Sequence, residues 1–133
     1  MADKVKTAIL GFGRWGMLLH KASLDCRHLE VTHAVTRSPH KVHEYCQEHS
    51  LKLGDDLDHM LGTSAVDALV IATPHSQHYD QLIAAAHANK HVYCEKPFTL
   101  SGDQASAALI ELSRAGCKVA IGHNRRFAPN TLA

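Results

Sequence analysis

Val5-Lys6-Thr7-Ala8-Ile9-Leu10-Gly11-Phe12-Gly13-Arg14-Trp15-Gly16 carries an apolar strand directly into a complete G-x-G-x-x-G, and a helix-like stretch follows. That context separates a dinucleotide-binding loop from a chance set of glycines. Gly11 permits the tight turn, Gly13 lets backbone approach a pyrophosphate, and Gly16 allows the helix to pack close against the strand. The helix that follows begins with free N–H groups and a partial positive charge, which suit phosphate.

Outward from this loop, apolar runs alternate with helical patterns. Lys6 to Leu10 reads as a first strand and Arg14 to Cys26 as a helix whose apolar face is Met17, Leu18, Ala22 and Leu24. Leu29 to Val35 reads as a second strand, followed by helical composition from Pro39 to His49, with Pro39 suited to a first turn. Leu51 to Leu53 is a short third strand and Asp55 to Leu61 a brief helix ended by Gly62. The clearest strand is Asp67 to Ala72, a continuous apolar run of the kind buried on both faces of a parallel sheet. Helix His75 to Asn89, strand His91 to Cys94, helix Ser101 to Arg114 and strand Lys118 to Ile121 complete the series. Ser101 suits a helix cap, Asp103 its first turn, and Gly116 the closing position. The alternation predicts an α/β domain, a doubly wound parallel sheet built of right-handed βαβ units.

Composition narrows the class further. The 133 residues fit one domain, and 45% hydrophobic with 20% charged residues is ordinary for a globular protein. A formal net charge of +1, with Arg125-Arg126 the nearest thing to a basic cluster, gives no case for nucleic acid. No apolar run approaches a membrane span or a signal peptide, so the sequence reads as cytoplasmic. The four cysteines lie far apart without a C-x-x-C, as expected of reduced, half-buried residues. Among twelve histidines, His40/His43 and His75/His78 form H-x-x-H pairs, but neither has a partner at ligand spacing, and no metal is expected.

In such a sheet ligands sit at the carboxyl ends of the strands, near the point where strand order reverses. At the end of strand two, where an adenosine ribose belongs, the segment is Val35-Thr36-Arg37-Ser38 and holds no acid. Glu30 has a tempting spacing from Gly11 but lies at the other end of the strand, about 20 Å away. Thr36 and Ser38 can hydrogen-bond, and Arg37 can pair with a 2′-phosphate, which favours NADP(H) and leaves NAD(H) as the alternative. Thr73-Pro74-His75-Ser76-Gln77-His78 follows strand four, Glu95-Lys96-Pro97 follows strand five, and His123-Asn124-Arg125-Arg126-Phe127 follows strand six. All of these fall at one predicted sheet edge.

The stretches AILGFGRWG, VDALVIATPHSQHYD, HVYCEKPFTL and GHNRRFAPN resemble the glucose–fructose oxidoreductase and inositol dehydrogenase family (Gfo/Idh/MocA), with Glu95-Lys96-Pro97 the most specific element. The resemblance implies a Rossmann nucleotide-binding domain over residues 1–122 and, from 123 to 133, the start of a linker to a second α/β domain. It implies hydride transfer between NAD(P) and a hydroxyl or carbonyl carbon of a sugar, inositol or related small molecule. Lys96 would then be the catalytic residue, beside the nicotinamide and the substrate hydroxyl. The glycine loop, Phe12, Arg14 and Trp15 included, would hold the cofactor. Glu95 would contact the nicotinamide-side ribose or hold Lys96; Thr73, Pro74, His75 and His78 would line the cleft; Asn124 and Arg125 would open the substrate side. The Lys96–Pro97 bond is expected to be cis. The family's catalytic histidine belongs to the second domain, so a chain of this span is expected to bind dinucleotide with little turnover. Exposed apolar surface around Phe127 and Leu132 points to homo-oligomers. A non-catalytic dinucleotide-binding module and an NAD-dependent glycoside-cleaving relative stand as alternatives.

Overall fold

The computed structural model describes residues 3–132. Six parallel strands form one sheet: β1 (Val5–Leu10), β2 (Leu29–Val35), β3 (Lys52–Gly54), β4 (Ala68–Ile71), β5 (His91–Glu95) and β6 (Val119–Gly122), in the order β3-β2-β1-β4-β5-β6. Chain order reverses direction across β1 and β4, the switch point of a doubly wound sheet. Register brings the strand ends level: Leu10 faces Val35 on one side and Ile71 on the other, Val35 faces Gly54, Ile71 faces Cys94, and Glu95 faces Gly122. Every loop that leaves a strand therefore opens at one edge.

Two apolar layers clamp the sheet. On one face Ile9, Phe12, Ala34, Val42, Cys46 and Leu51 pack under α1 (Arg14–Ser23) and α2 (His43–Glu48). On the other, Leu10, Leu69, Ile71, Val92 and Cys94 pack against α3 (Leu57–Gly62), α4 (His78–His87) and α5 (Gly102–Arg114). Short α6 (Pro129–Leu132) follows a 3₁₀ turn at Asn124–Phe127. Ser101 caps α5 through the Gln104 amide at 3.2 Å, and Gly116, at φ +69°, closes it. No helix among the described residues is long and apolar enough to cross a membrane.

The structure corrects several details. Leu18 in α1 and Leu24 just past its end are about half exposed and Ala22 is exposed; the inward residues of the helix are Gly16, Met17, Leu19 and His20. Helix rotation follows from the contact of Gly16 with the loop, where a Cβ would come 2.5 Å from the Gly11 carbonyl oxygen, rather than from the count of apolar residues. The segment after Ser38 is a 3₁₀ turn (Pro39–Lys41), then α2. His75–Gln77 is likewise a separate 3₁₀ turn ahead of α4. α3 starts at Leu57, not Asp55, because the Asp56 carboxylate accepts from the amides of Asp58 and His59 and so takes the cap. Phe127 is 71% exposed, and the side chain of Leu132 lies outside the described residues.

Candidate functional site

Two adjoining hollows occupy the sheet edge. The larger, of about 690 Å³, is bounded by Leu10, Gly11, Gly13, Arg14 and Trp15, by Val35 to Ser38, by Asp55 and Leu57, and by Ala72 to Pro74 with Gln77 and Gln81. The smaller, of about 280 Å³, is lined by Trp15, Ala72, Thr73, His75, Glu95 and Lys96. Trp15, Ala72 and Thr73 belong to both, so the two form one cleft over the switch point.

The glycine loop shapes the larger hollow. Gly11 sits at φ +82°, and a Cβ there would meet the Ala72 carbonyl oxygen at 2.6 Å, so β4 closes on the loop only because the side chain is missing. Gly13 meets nothing within 4 Å, leaving open space at the start of α1. No side chain caps that helix and no acid occupies its first turn, so its first amides face the hollow unblocked. Bare backbone, open space and a helix N-terminus together fit a pyrophosphate.

Phe12 does not line this space. Its ring is fully buried against His20 and Tyr45, and its amide donates to the Val35 carbonyl at 3.2 Å. It braces the loop from behind. Beyond the loop, Thr36 Oγ accepts from the Ser38 amide at 3.3 Å, and exposed Arg37 forms no ion pair among the described residues. Asp55, which the sequence reading passed over, enters from β3: Gly54 lies beside Val35, and its carbonyl accepts from the Thr36 amide at 3.0 Å. It is the only carboxylate among the residues lining this hollow. Once Asp56 serves as the α3 cap, adjacency of β3 to β2 is the signal that would have found it. Glu30 lies at the opposite edge, in register with Lys6.

On the smaller side, the Lys96–Pro97 bond is cis. Lys96 is exposed and unpaired among the described residues; it does not bridge to Glu95. Glu95, only 8% exposed, instead accepts from the Tyr93 hydroxyl at 3.3 Å. Burial, and then the neighbouring Glu95 charge, push the Tyr93 hydroxyl above its usual range, so it stays a donor. Thr73 Oγ donates to Gln81 Oε1 at 2.6 Å, fixing the wall between the hollows.

His78 departs from expectation. It is fully buried, with Nδ1 2.8 Å from the Pro97 carbonyl oxygen and Nε2 3.0 Å from that of Thr73. The ring therefore ties the loops after β4 and β5 together from below, and both nitrogens face carbonyls rather than a ligand or metal. Cys94, beside it, is pushed up to about 12 by burial and then by Glu95, which leaves an inert thiol. Asn124 and Arg125 stand on the exposed turn past β6 and border neither hollow.

A switch-point cleft, an uncapped glycine loop and a polar strand-end wall define a dinucleotide-binding Rossmann domain. A family model described as an oxidoreductase family with an NAD-binding Rossmann fold matches residues 5–123, and the chain belongs to that family, Gfo/Idh/MocA. It is 32% identical to scyllo-inositol 2-dehydrogenase (NAD(+)) of Bacillus subtilis, over 97% of this chain and 38% of that protein. It is 31% identical to inositol 2-dehydrogenase of Rhizobium meliloti, over 97% of this chain and 39% of that one. Among solved structures, an NAD-binding protein from Listeria innocua superposes with a TM-score of 0.89 at 29% identity, over 96% of this chain and 38% of that one. The chain thus spans about two fifths of the length of these relatives.

Proposed function

We propose that this chain is the cofactor-binding part of an oxidoreductase that moves hydride between NADP(H) and a hydroxyl or carbonyl carbon of a sugar, inositol or related small molecule. The observation that carries the cofactor choice is Arg37, without an ion-pair partner among the described residues, at the rim of the larger hollow beside Thr36 and Ser38. A guanidinium there matches a 2′-phosphate. Asp55 reaches the same hollow from β3, one strand outboard of the end of β2 where a ribose-binding acid would stand.

In this reading the amides at the start of α1 would hold the pyrophosphate, and Thr73, Glu95 and Lys96 would hold the nicotinamide half. The bound nicotinamide supplies the hydride. Lys96, free of a carboxylate partner among the described residues, would orient the substrate oxygen and help move its proton. Residues 123–133 would lead toward a second domain that completes the substrate pocket.

Calorimetric titration with NADPH, NADP⁺, NADH and NAD⁺ tests the reading. NADP(H) should bind at least tenfold more tightly, as one charge-assisted phosphate contact predicts. Equal or tighter binding of NAD(H) would remove Arg37 as the discriminating group.

A further inference from the structure

The carboxylate of Glu95 is nearly buried, yet no cation among the described residues pairs with it. Burying a carboxylate is costly unless hydrogen bonds replace its water. Its one protein partner among the described residues is the Tyr93 hydroxyl, two residues earlier on β5 and so on the same face of the sheet. Beneath both groups lies Gly122, paired with Glu95 across β5 and β6. A Cβ on Gly122 would stand 2.6 Å from Glu95 Oε1 and 2.8 Å from the Tyr93 hydroxyl, so the two side chains lie across the bare backbone of β6. No buried side-chain oxygen among the described residues lacks a partner. Glu95 Oε2 makes no hydrogen bond to the described protein, so it is the oxygen that keeps access to solvent, and Glu95 lines the smaller hollow beside Lys96.

We propose that Tyr93 and Gly122 are positioning residues: they seat the Glu95 carboxylate with Oε1 tied down and Oε2 presented to a hydroxyl of the nicotinamide-side ribose. Tyr93 acts only through Glu95 and touches no ligand. Gly122 acts by absence, since any side chain there displaces the carboxylate and hydroxyl before it displaces backbone. The inference rests on the dinucleotide reading and specifies how its second half is held.

The test uses the 133-residue chain, with two ligands and the quenching of its single tryptophan, Trp15, as the signal. NADPH spans both hollows; adenosine 2′,5′-bisphosphate fills only the larger. Tyr93→Phe should weaken NADPH about tenfold, the worth of one hydrogen bond to a charged group, and leave the bisphosphate within twofold. Gly122→Ala should weaken NADPH at least as much. In a Glu95→Gln background the Tyr93→Phe loss should shrink to twofold or less, because the two groups form one coupled unit. Melting temperatures of all variants separate these effects from unfolding, and Tyr93→Phe carries the test if Gly122→Ala does not fold.

An unchanged NADPH affinity in Tyr93→Phe, equal weakening of both ligands, or a loss that persists in full beside Glu95→Gln would each overturn the proposal. Wild-type chain that binds NADPH no better than the bisphosphate would overturn it too, while leaving the dinucleotide reading intact. Wild-type chain that binds neither ligand would remove both.

Discussion

The two hollows of the cleft are built differently. The larger is enclosed by the glycine loop, the start of α1, the ends of β2 and β3, and the loop after β4. One wall of it is backbone: bare glycines and the first amides of α1, whose positions the sheet register fixes. The smaller is lined by six residues, and its charged groups are the side chains of Glu95 and Lys96. A site made of backbone is set when the sheet closes. A site made of side chains needs supports of its own, here Tyr93 below Glu95 and His78 below the Thr73 and Pro97 carbonyls. Damage to either half should therefore leave a different signature.

The largest effect is expected from Gly16→Val. The new side chain would meet the Gly11 carbonyl 2.5 Å from its Cβ and Ile9 Cγ2 at 3.4 Å, with no flexible group to yield. Helix α1 must then lift off β1, at more than about 3 kcal/mol of stability. Both NADPH and the adenosine bisphosphate should lose binding together. Denaturant melts and the two titrations check this; a folded variant that keeps either ligand would show that the loop tolerates separation.

His78→Ala strikes the other half. It removes a buried ring and the hydrogen bond that its N–H gives to one of two strand-end carbonyls, for roughly 2–4 kcal/mol. The cleft wall beside Lys96 should loosen, weakening NADPH while the bisphosphate binds nearly as before. Equal loss of both ligands would show that the halves are not mechanically separate.

These same residues show how far the sequence could be read. The six strands, the glycine loop and the doubly wound class were legible because each depends on apolar runs and glycine spacing, which are local. The roles of Phe12 and His78 were not. Both sit inside cofactor-like motifs, and only the packing of α1 on α2, or of the β4 loop on the β5 loop, turns them away from the cleft. Asp55 and Tyr93 were missed for the converse reason. Asp55 gains its place through its neighbour strand, and Tyr93 through a partner two residues along its own strand and a glycine on the next. Leu18 and Leu24 looked like core because periodicity cannot say which face a glycine contact will turn inward.

Within the larger hollow, Arg37→Ala should cost NADPH about 1.5–3 kcal/mol, tenfold or more in affinity, and leave NADH unchanged. Asp55→Asn should act the other way and more weakly. Removing an exposed negative charge near the 2′-phosphate should tighten NADPH two- to fivefold, in line with the modest worth of rim charges. If Asp55→Asn instead abolished NADH binding, the acid from β3 would be the ribose ligand, and the cofactor choice would pass to NAD(H).

The smallest effect concerns pH and again contrasts the two halves. His20 is buried at 3% exposure behind the glycine loop, its Nδ1 2.7 Å from the Tyr45 hydroxyl and its ring against Phe12 and His49. Burial first, then the nearby His49, lower its pKa from 6.5, so the folded state resists the proton that the unfolded chain accepts. Stability contributed by the neutral ring is then complete above about 6.5 and falls as pH drops toward the lowered folded value. Other groups face the same pocket: Lys21 lies 5.7 Å from the Tyr45 ring centroid, and burial first, then Cys46 and Glu48, push the Tyr45 hydroxyl up. His33, buried on β2 and lowered by burial and then by Lys52 and His59, contributes in the same direction. Melting temperature should therefore decline between pH 7.5 and 5. His20→Gln, which keeps a polar partner for Tyr45 but cannot titrate, should decline less steeply. Bisphosphate binding should weaken over the same interval in the wild type and less in the variant, because Phe12 couples the His20 pocket to the loop. An identical pH slope in the two proteins would mean that the acid sensitivity resides at His33 or elsewhere, and that the loop is insulated from the ring behind it.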